Sequence, residues 1–198
     1  MNTIDASATI IGIDYGAKLA GTTAIATANE EYHIKILATT KGVDADKFIA
    51  THLANYSNAI VCIDAPLSLP AVYCNAENGN DYFYRKSDKL LQAMSPMFLG
   101  GLTARAMQLK YKNNLPFYEV YPGALARELD LTAIAYKKEK TYIEPIVNVL
   151  KKYFEIECAH NFISWHEVDA LLALCIGLRI KSNKAVAYGN ESEGIIWV

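Results

Sequence analysis

A chain of 198 residues that is 52% apolar has the material for a real core, which excludes an intrinsically disordered protein. Lys plus Arg number 19 against 21 for Asp plus Glu, and the net charge of −2 excludes a global basic field, so any polyanion must be bound locally. No apolar run reaches the length of a membrane span, and the first is broken by Asp14 and lacks the basic flank of a signal peptide, so a cytoplasmic protein is expected.

Residues 8–14 (ATIIGID) form a short, β-branched, nearly continuous apolar run that reads as a central strand ending at the Asp-Tyr-Gly turn. Residues 21–28 and 31–38 are two further strands, and the Asn29-Glu30 break between them suits an antiparallel hairpin, giving a three-strand meander. Helical spacing then takes over across 44–55, with Asp44 placed to cap the start. Residues 59–64 (AIVCID) make another buried strand. The intervening helix lets it lie parallel to the first by the right-handed crossover rule.

Residues 66–114 are irregular, with prolines at 66, 70 and 96 and a polar stretch at 74–81, and read as an insertion with helices of its own. A fifth strand at 117–121 closes on Pro122-Gly123, followed by helices at 124–129 and 141–154. The helix at 164–181 is the clearest, since Ser164 and Glu167 form a capping box ahead of an apolar face containing Val168, Leu171, Leu172, Cys175 and Ile176. A short strand at 194–198 ends the chain. The expected architecture is α/β and ribonuclease-H-like, one domain over 1–198: a mixed five-stranded central sheet, the antiparallel meander plus parallel strands, flanked by helices. Cys62, Cys74, Cys158 and Cys175 are too far apart for a metal knuckle and read as buried thiols.

Asp14 and Asp64 each end an apolar strand, so parallel pairing brings both carboxylates to one sheet edge, where open α/β sheets bind ligands. Asp169 lies on the last long helix three residues after His166, and that face can be laid over the same edge. Glu119, near the end of the fifth strand, is a fourth candidate. Turn chemistry accounts for either strand-end aspartate alone, but not for an acid on the inward side of a helix. Clustered carboxylates repel until a proton or a divalent cation intervenes, and an all-oxygen site favours magnesium or manganese. Two such ions roughly 4 Å apart suit in-line hydrolysis of a phosphodiester. Asp14 would then bridge the ions, Asp64 and Asp169 would each hold one, and His166 or Glu119 would tune water or metal.

Lys18, Arg85, Arg105 and Lys140 are candidates for holding phosphate, although solvated surface is the ordinary fate of each. The run 136–140 (YKKEK) reads as a helix approach, and Tyr82, Phe83 and Tyr84 as packing of the insertion. Gly12, Gly16 and Gly21 surround the first turn without a Gly-Lys-Ser/Thr, so no P-loop is present.

Six segments in order, GIDYG at Asp14, IDAPLSLP at Asp64, the R-x-x-D of Arg85 and Asp88, EVYPGAL at Glu119, the H-x-x-D-A from His166 and the closing EGIIWV, resemble the family called domain of unknown function 429. The resemblance implies a ribonuclease-H-like nuclease related in fold to a Holliday-junction resolvase, with metal ligands Asp14, Asp64 and Asp169. It supplies no substrate. The leading expectation is a metal-dependent nuclease acting on DNA or RNA. The alternatives are a nucleotide- or phosphate-binding protein of kinase or ATPase type, for which GIDYG followed by Gly21-Thr22-Thr23 speaks, and a non-catalytic binding module, for which the near-neutral charge speaks. The sequence sets no oligomeric state, and a dimer is among those it allows.

Overall fold

A computed structural model describes residue 5 and residues 7–74 and 79–198, so part of the polar stretch 74–81 lies outside the described residues. The strands are β1 (Thr9–Asp14), β2 (Ala24–Ala28), β3 (Ile34–Ala38), β4 (Ala59–Asp64), β5 (Phe117–Val120), β6 (Ala187–Asn190) and β7 (Gly194–Trp197). They form one mixed sheet in the order β3-β2-β1-β4-β5-β7-β6. As expected, β1, β2 and β3 pair antiparallel and β4 runs parallel to β1, with Asp14 opposite Asp64 in register. The sheet has seven strands rather than five. β7 joins parallel to β5, and β6 folds back antiparallel on β7. β6 carries no apolar alternation and contains Gly189 at φ 106°, so its sequence lacks a strand signature.

The meander strands start later than expected because turns take their first residues. Gly21 at φ 75° and the Gly16 amide donating to Thr23 Oγ1 hold the chain in a turn up to β2. Asn29 Oδ1 accepts from the amides of Glu31 and His33, which widens the hairpin loop to residues 29–33.

The α-helices are α1 (Ala45–Leu53), α2 (Lys86–Leu91), α3 (Pro96–Leu99), α4 (Gly101–Tyr111), α5 (Pro122–Glu128), α6 (Ile143–Phe154) and α7 (Trp165–Lys181), with short 3-10 turns at Ala71–Tyr73 and Lys140–Tyr142. Asp44 caps α1 by accepting from the amides of Asp46 and Lys47. Pro122, expected to close β5, instead sits in the first turn of α5, where its missing N–H costs nothing. The 66–114 segment does carry helices of its own, α2 to α4.

Two apolar clusters lie on opposite faces of the sheet. Ile10 of β1 with Ile60 and Cys62 of β4 pack with α5, α6 and α7, while Ile11, Ile13, Val61 and Ile63 pack with α1 and α4. Burial on both faces explains why β1 and β4 read as continuous apolar runs. Strand periodicity then puts Asp14 and Asp64 on the α7 face, in phase with Ile10, Ile60 and Cys62. The capping box is present: Ser164 Oγ accepts from the Glu167 amide, and the Glu167 carboxylate accepts from the Ser164 amide. Beyond it α7 is buried on every side from Val168 to Gly177, not along one stripe. It lies unusually close to the sheet, because a methyl group at Gly12 would overlap the Leu174 amide and the Ala170 carbonyl, and one at Gly177 would overlap Ile10 and Cys62. Cys62, Cys158 and Cys175 are buried free thiols as expected, whereas Cys74 is exposed. No described helix is long and apolar enough to cross a membrane.

Candidate metal centre

Strand register, crossover direction and the depth of α7 bring three acids together. Asp14, Asp64 and Asp169 each offer a carboxylate oxygen, and these oxygens lie within 4.8 Å of one another. Asp169 is 3% exposed and Asp14 13%. The Asp64 carboxylate makes no hydrogen bond or ion pair among the described residues. Burial raises it well above the ordinary carboxylate range, and repulsion from Asp14 and Asp169 adds to the rise. Burial and the Asp14 charge push Asp169 up to about 6, while burial raises Asp14 against the opposing pull of His166.

One side chain on the cluster carries positive charge, a second does so when protonated, and a third donates a neutral hydrogen bond. His166 Nδ1 lies 2.7 Å from Asp14 Oδ2, and that hydrogen bond, opposed by partial burial, raises the imidazole above its ordinary value. Lys137 Nζ lies 2.6 Å from Asp169 Oδ2. Burial works against its charge, but Asp169, Asp64 and Asp14 outweigh that and hold the ammonium protonated. Tyr136 donates its hydroxyl to Asp169 Oδ1, and its ring meets Trp165 edge-on at 5.5 Å. Three acids therefore face fewer cations than their full ionisation would require. Asp14, Asp64 and Asp169 could hold a metal ion, and their hard oxygen donors fit magnesium or manganese better than zinc.

Glu119 stands apart from the trio. β5 pairs Ile63 with Glu119, so this acid shares the sheet face of Ile63 and Phe117, opposite to that of Asp14 and Asp64. It instead holds Arg85, together with Asp88. The guanidinium Nε donates to Asp88 Oδ2 at 3.1 Å, Nη1 to Ser68 Oγ and Glu119 Oε2 at 2.7 Å each, and Nη2 to Asp88 Oδ1 at 2.7 Å and Glu119 Oε1 at 2.6 Å. An arginine side chain has five N–H donors and these bonds use all of them, so none remains for a phosphate. Arg85 is a buried clamp joining α2 to β5 and to the segment after β4.

Arg105 and Lys18 are also engaged elsewhere. Arg105 pairs with Asp46 at 2.6 Å, donates to the Gly16 carbonyl at 3.2 Å and lies 4.7 Å over the Tyr15 ring. Lys18 lies 3.5 Å from Asp44. Lys140 is exposed and makes no ion pair with the acids among the described residues. The lysine that reaches the trio is Lys137, from the run read as a helix approach. Left-handed turns at Ala135 (φ 62°) and Lys137 (φ 60°) aim it, and neither leaves a periodic signal in the sequence. Comparison with protein-family models, with curated proteins and with solved structures gives no match to this chain.

Proposed function

We propose that this protein is a divalent-metal-dependent phosphodiester hydrolase acting on nucleic acid, built on a ribonuclease-H-like domain with an insertion at 66–114. One observation carries the reading: three carboxylates from β1, β4 and α7 converge within 4.8 Å, and the Asp64 carboxylate has no hydrogen-bond or ion-pair partner among the described residues. The antiparallel meander followed by parallel strands supports the fold assignment, as do the six segments resembling domain of unknown function 429.

When bound, one or two magnesium or manganese ions would activate a water and neutralise charge developing at phosphorus. In the reaction the water oxygen bonds to phosphorus and the bond from phosphorus to the leaving oxygen breaks. The leaving alcohol keeps one proton of the water and the other is released. Asp14, Asp64 and Asp169 are the ligands of choice. His166 holds Asp14 in place through Nδ1, and only as the neutral imidazole would it take up the proton the water gives up. Lys137 balances Asp169 and would pair its ammonium, still protonated, with a phosphate oxygen. The kinase-like alternative has less support, since Thr23 already occupies the Gly16 amide and Arg105 the Gly16 carbonyl.

Titration calorimetry with manganese on the wild type and on Asp64→Asn, beside a cleavage screen over single strands, duplexes, hybrids and branched junctions, tests the proposal. Metal-dependent cleavage lost in the variant supports it. Absence of both manganese binding and cleavage in the wild type would end it.

A further inference from the structure

A cleft of about 330 Å³ opens beside Asp14 and Asp64, and much of its lining is apolar. Met94, Leu99 and Leu102 line it from the 66–114 segment, and Pro66 and Tyr121 line it from just beyond β4 and β5. The Arg85–Asp88–Glu119 clamp also reaches this cleft with its charges already paired, so hydrocarbon shares the lining with the carboxylates of Asp14 and Asp64. That volume is at the small end of ligand pockets, which start at about 300 Å³. A double helix, with a major groove alone about 12 Å wide, is far too large to enter.

The charges point the same way. A protein that grips a duplex neutralises a row of phosphates with free lysines and arginines. Here Arg85 is saturated by Asp88, Glu119 and Ser68, Arg105 is held by Asp46, Lys18 sits against Asp44, and the exposed Lys140 does not reach the acids. Beside the acids, Lys137, joined by His166 when protonated, is in contact, enough for one phosphate or two. The apolar side extends outward, since Met94 is 62% exposed and Phe98, next to Leu99 on α3, is 63% exposed with its ring 5.7 Å from Phe83. Exposed apolar and aromatic side chains next to a phosphate site suit the faces of unpaired bases.

We infer that the substrate, given the hydrolase reading on which this rests, is an unpaired nucleotide phosphodiester, either a single strand or a free dinucleotide, whose base lies against Met94, Leu99 and Leu102. A duplex or a branched junction would have to be unpaired before its phosphate could reach Asp14 and Asp64.

The test compares a dinucleotide, a single strand and a duplex of matching sequence with manganese, in the wild type and in Met94→Asp, at about 50 and about 200 mM salt. The unpaired probes should be cleaved at least about tenfold faster than the duplex. Their KM should rise by less than about tenfold with salt, against roughly 10³-fold or more for a site making six to ten phosphate contacts. Met94→Asp, at an exposed position, should keep the melting temperature and raise KM for unpaired probes at least about tenfold. Turnover of both unpaired probes, or of the strand alone, supports the inference and tells a free dinucleotide from a polymer. Preferred cleavage of the duplex with steep salt dependence, or an unchanged KM in Met94→Asp, overturns it and leaves the hydrolase standing. Failure of every probe together with absent manganese binding removes both.

Discussion

Lys137 Nζ and Asp169 Oδ2 are 2.6 Å apart, so a tethered ammonium sits where a divalent cation would also seek the carboxylate. Lysine and a bound metal would therefore compete for one acid. Lys137→Ala should tighten manganese binding about three- to tenfold, a change of about 1 kcal/mol, while lowering kcat if the ammonium also serves the phosphate. Calorimetry and single-turnover cleavage separate the two effects. Weaker metal binding in the variant would show that the lysine organises the site instead of competing for it.

The Asp64 carboxylate has no side-chain partner to lose among the described residues. In metal-free protein near pH 8, Asp64→Asn should keep or raise the melting temperature, because a repelling carboxylate is removed. The same substitution should abolish stabilisation by manganese. A clear fall in metal-free stability would mark Asp64 as a structural strand-end residue.

The pH dependence has a definite sign. Asp169 is raised from 3.8 to about 6, so in that window the folded state binds more protons than the unfolded one, and stability falls as pH rises. His166, raised above 6.5, contributes stability that is present below that value and is lost as pH climbs through its folded pKa. Metal-free protein should therefore lose melting temperature from about pH 4 to beyond pH 7, and saturating magnesium should flatten the curve. Thermal melts at closely spaced pH values with and without magnesium check this, and a metal-free curve that rises across the same interval would refute it.

Arg85→Met strips the counter-charge from two buried carboxylates, Asp88 and Glu119. Breaking such a buried pair costs about 3 to 5 kcal/mol, and a melting temperature lower by roughly 6 to 20 °C is expected for a chain of this size. Lys at this position keeps the charge but not the five-bond geometry, so Arg85→Lys should recover only part of the loss. A neutral result for Arg85→Met would leave the clamp without energetic weight.

Gly12→Ala places a methyl group against the backbone of α7 and should cost more than about 3 kcal/mol, as severe overpacking does. Gly101→Ala, in open space on α4, is the matched control and should be neutral or stabilising. Denaturant unfolding of both variants decides the point, and equal midpoints would contradict the close contact.

The centre of the molecule is legible in the sequence because β1 and β4 are buried on both faces and each ends in an acid. The capping box announces α7, so the meeting of Asp14, Asp64 and Asp169 can be read before any coordinates. Glu119 resists such reading, since Tyr118 and Val120 on either side leave the face of β5 undetermined and only the register with Ile63 fixes it. Lys137 is hidden because two left-handed turns aim it, and β6 because it is short and polar. Arg85 looks like a phosphate ligand until both of its acidic partners, one of them distant in sequence, are seen in place.

The absence of a side chain at Gly12 reaches further than packing. With backbone resting on backbone, the spacing between the main chain of β1 and that of α7 is fixed, and rotation of the aspartate side chains is the freedom left to the acids. That spacing should survive heating until the whole domain melts, so loss of any manganese binding and global unfolding should coincide on one thermal curve. Sequence change is then tolerated best at exposed positions of the 66–114 segment such as Met94 and Phe98, and not at the buried Arg85 clamp.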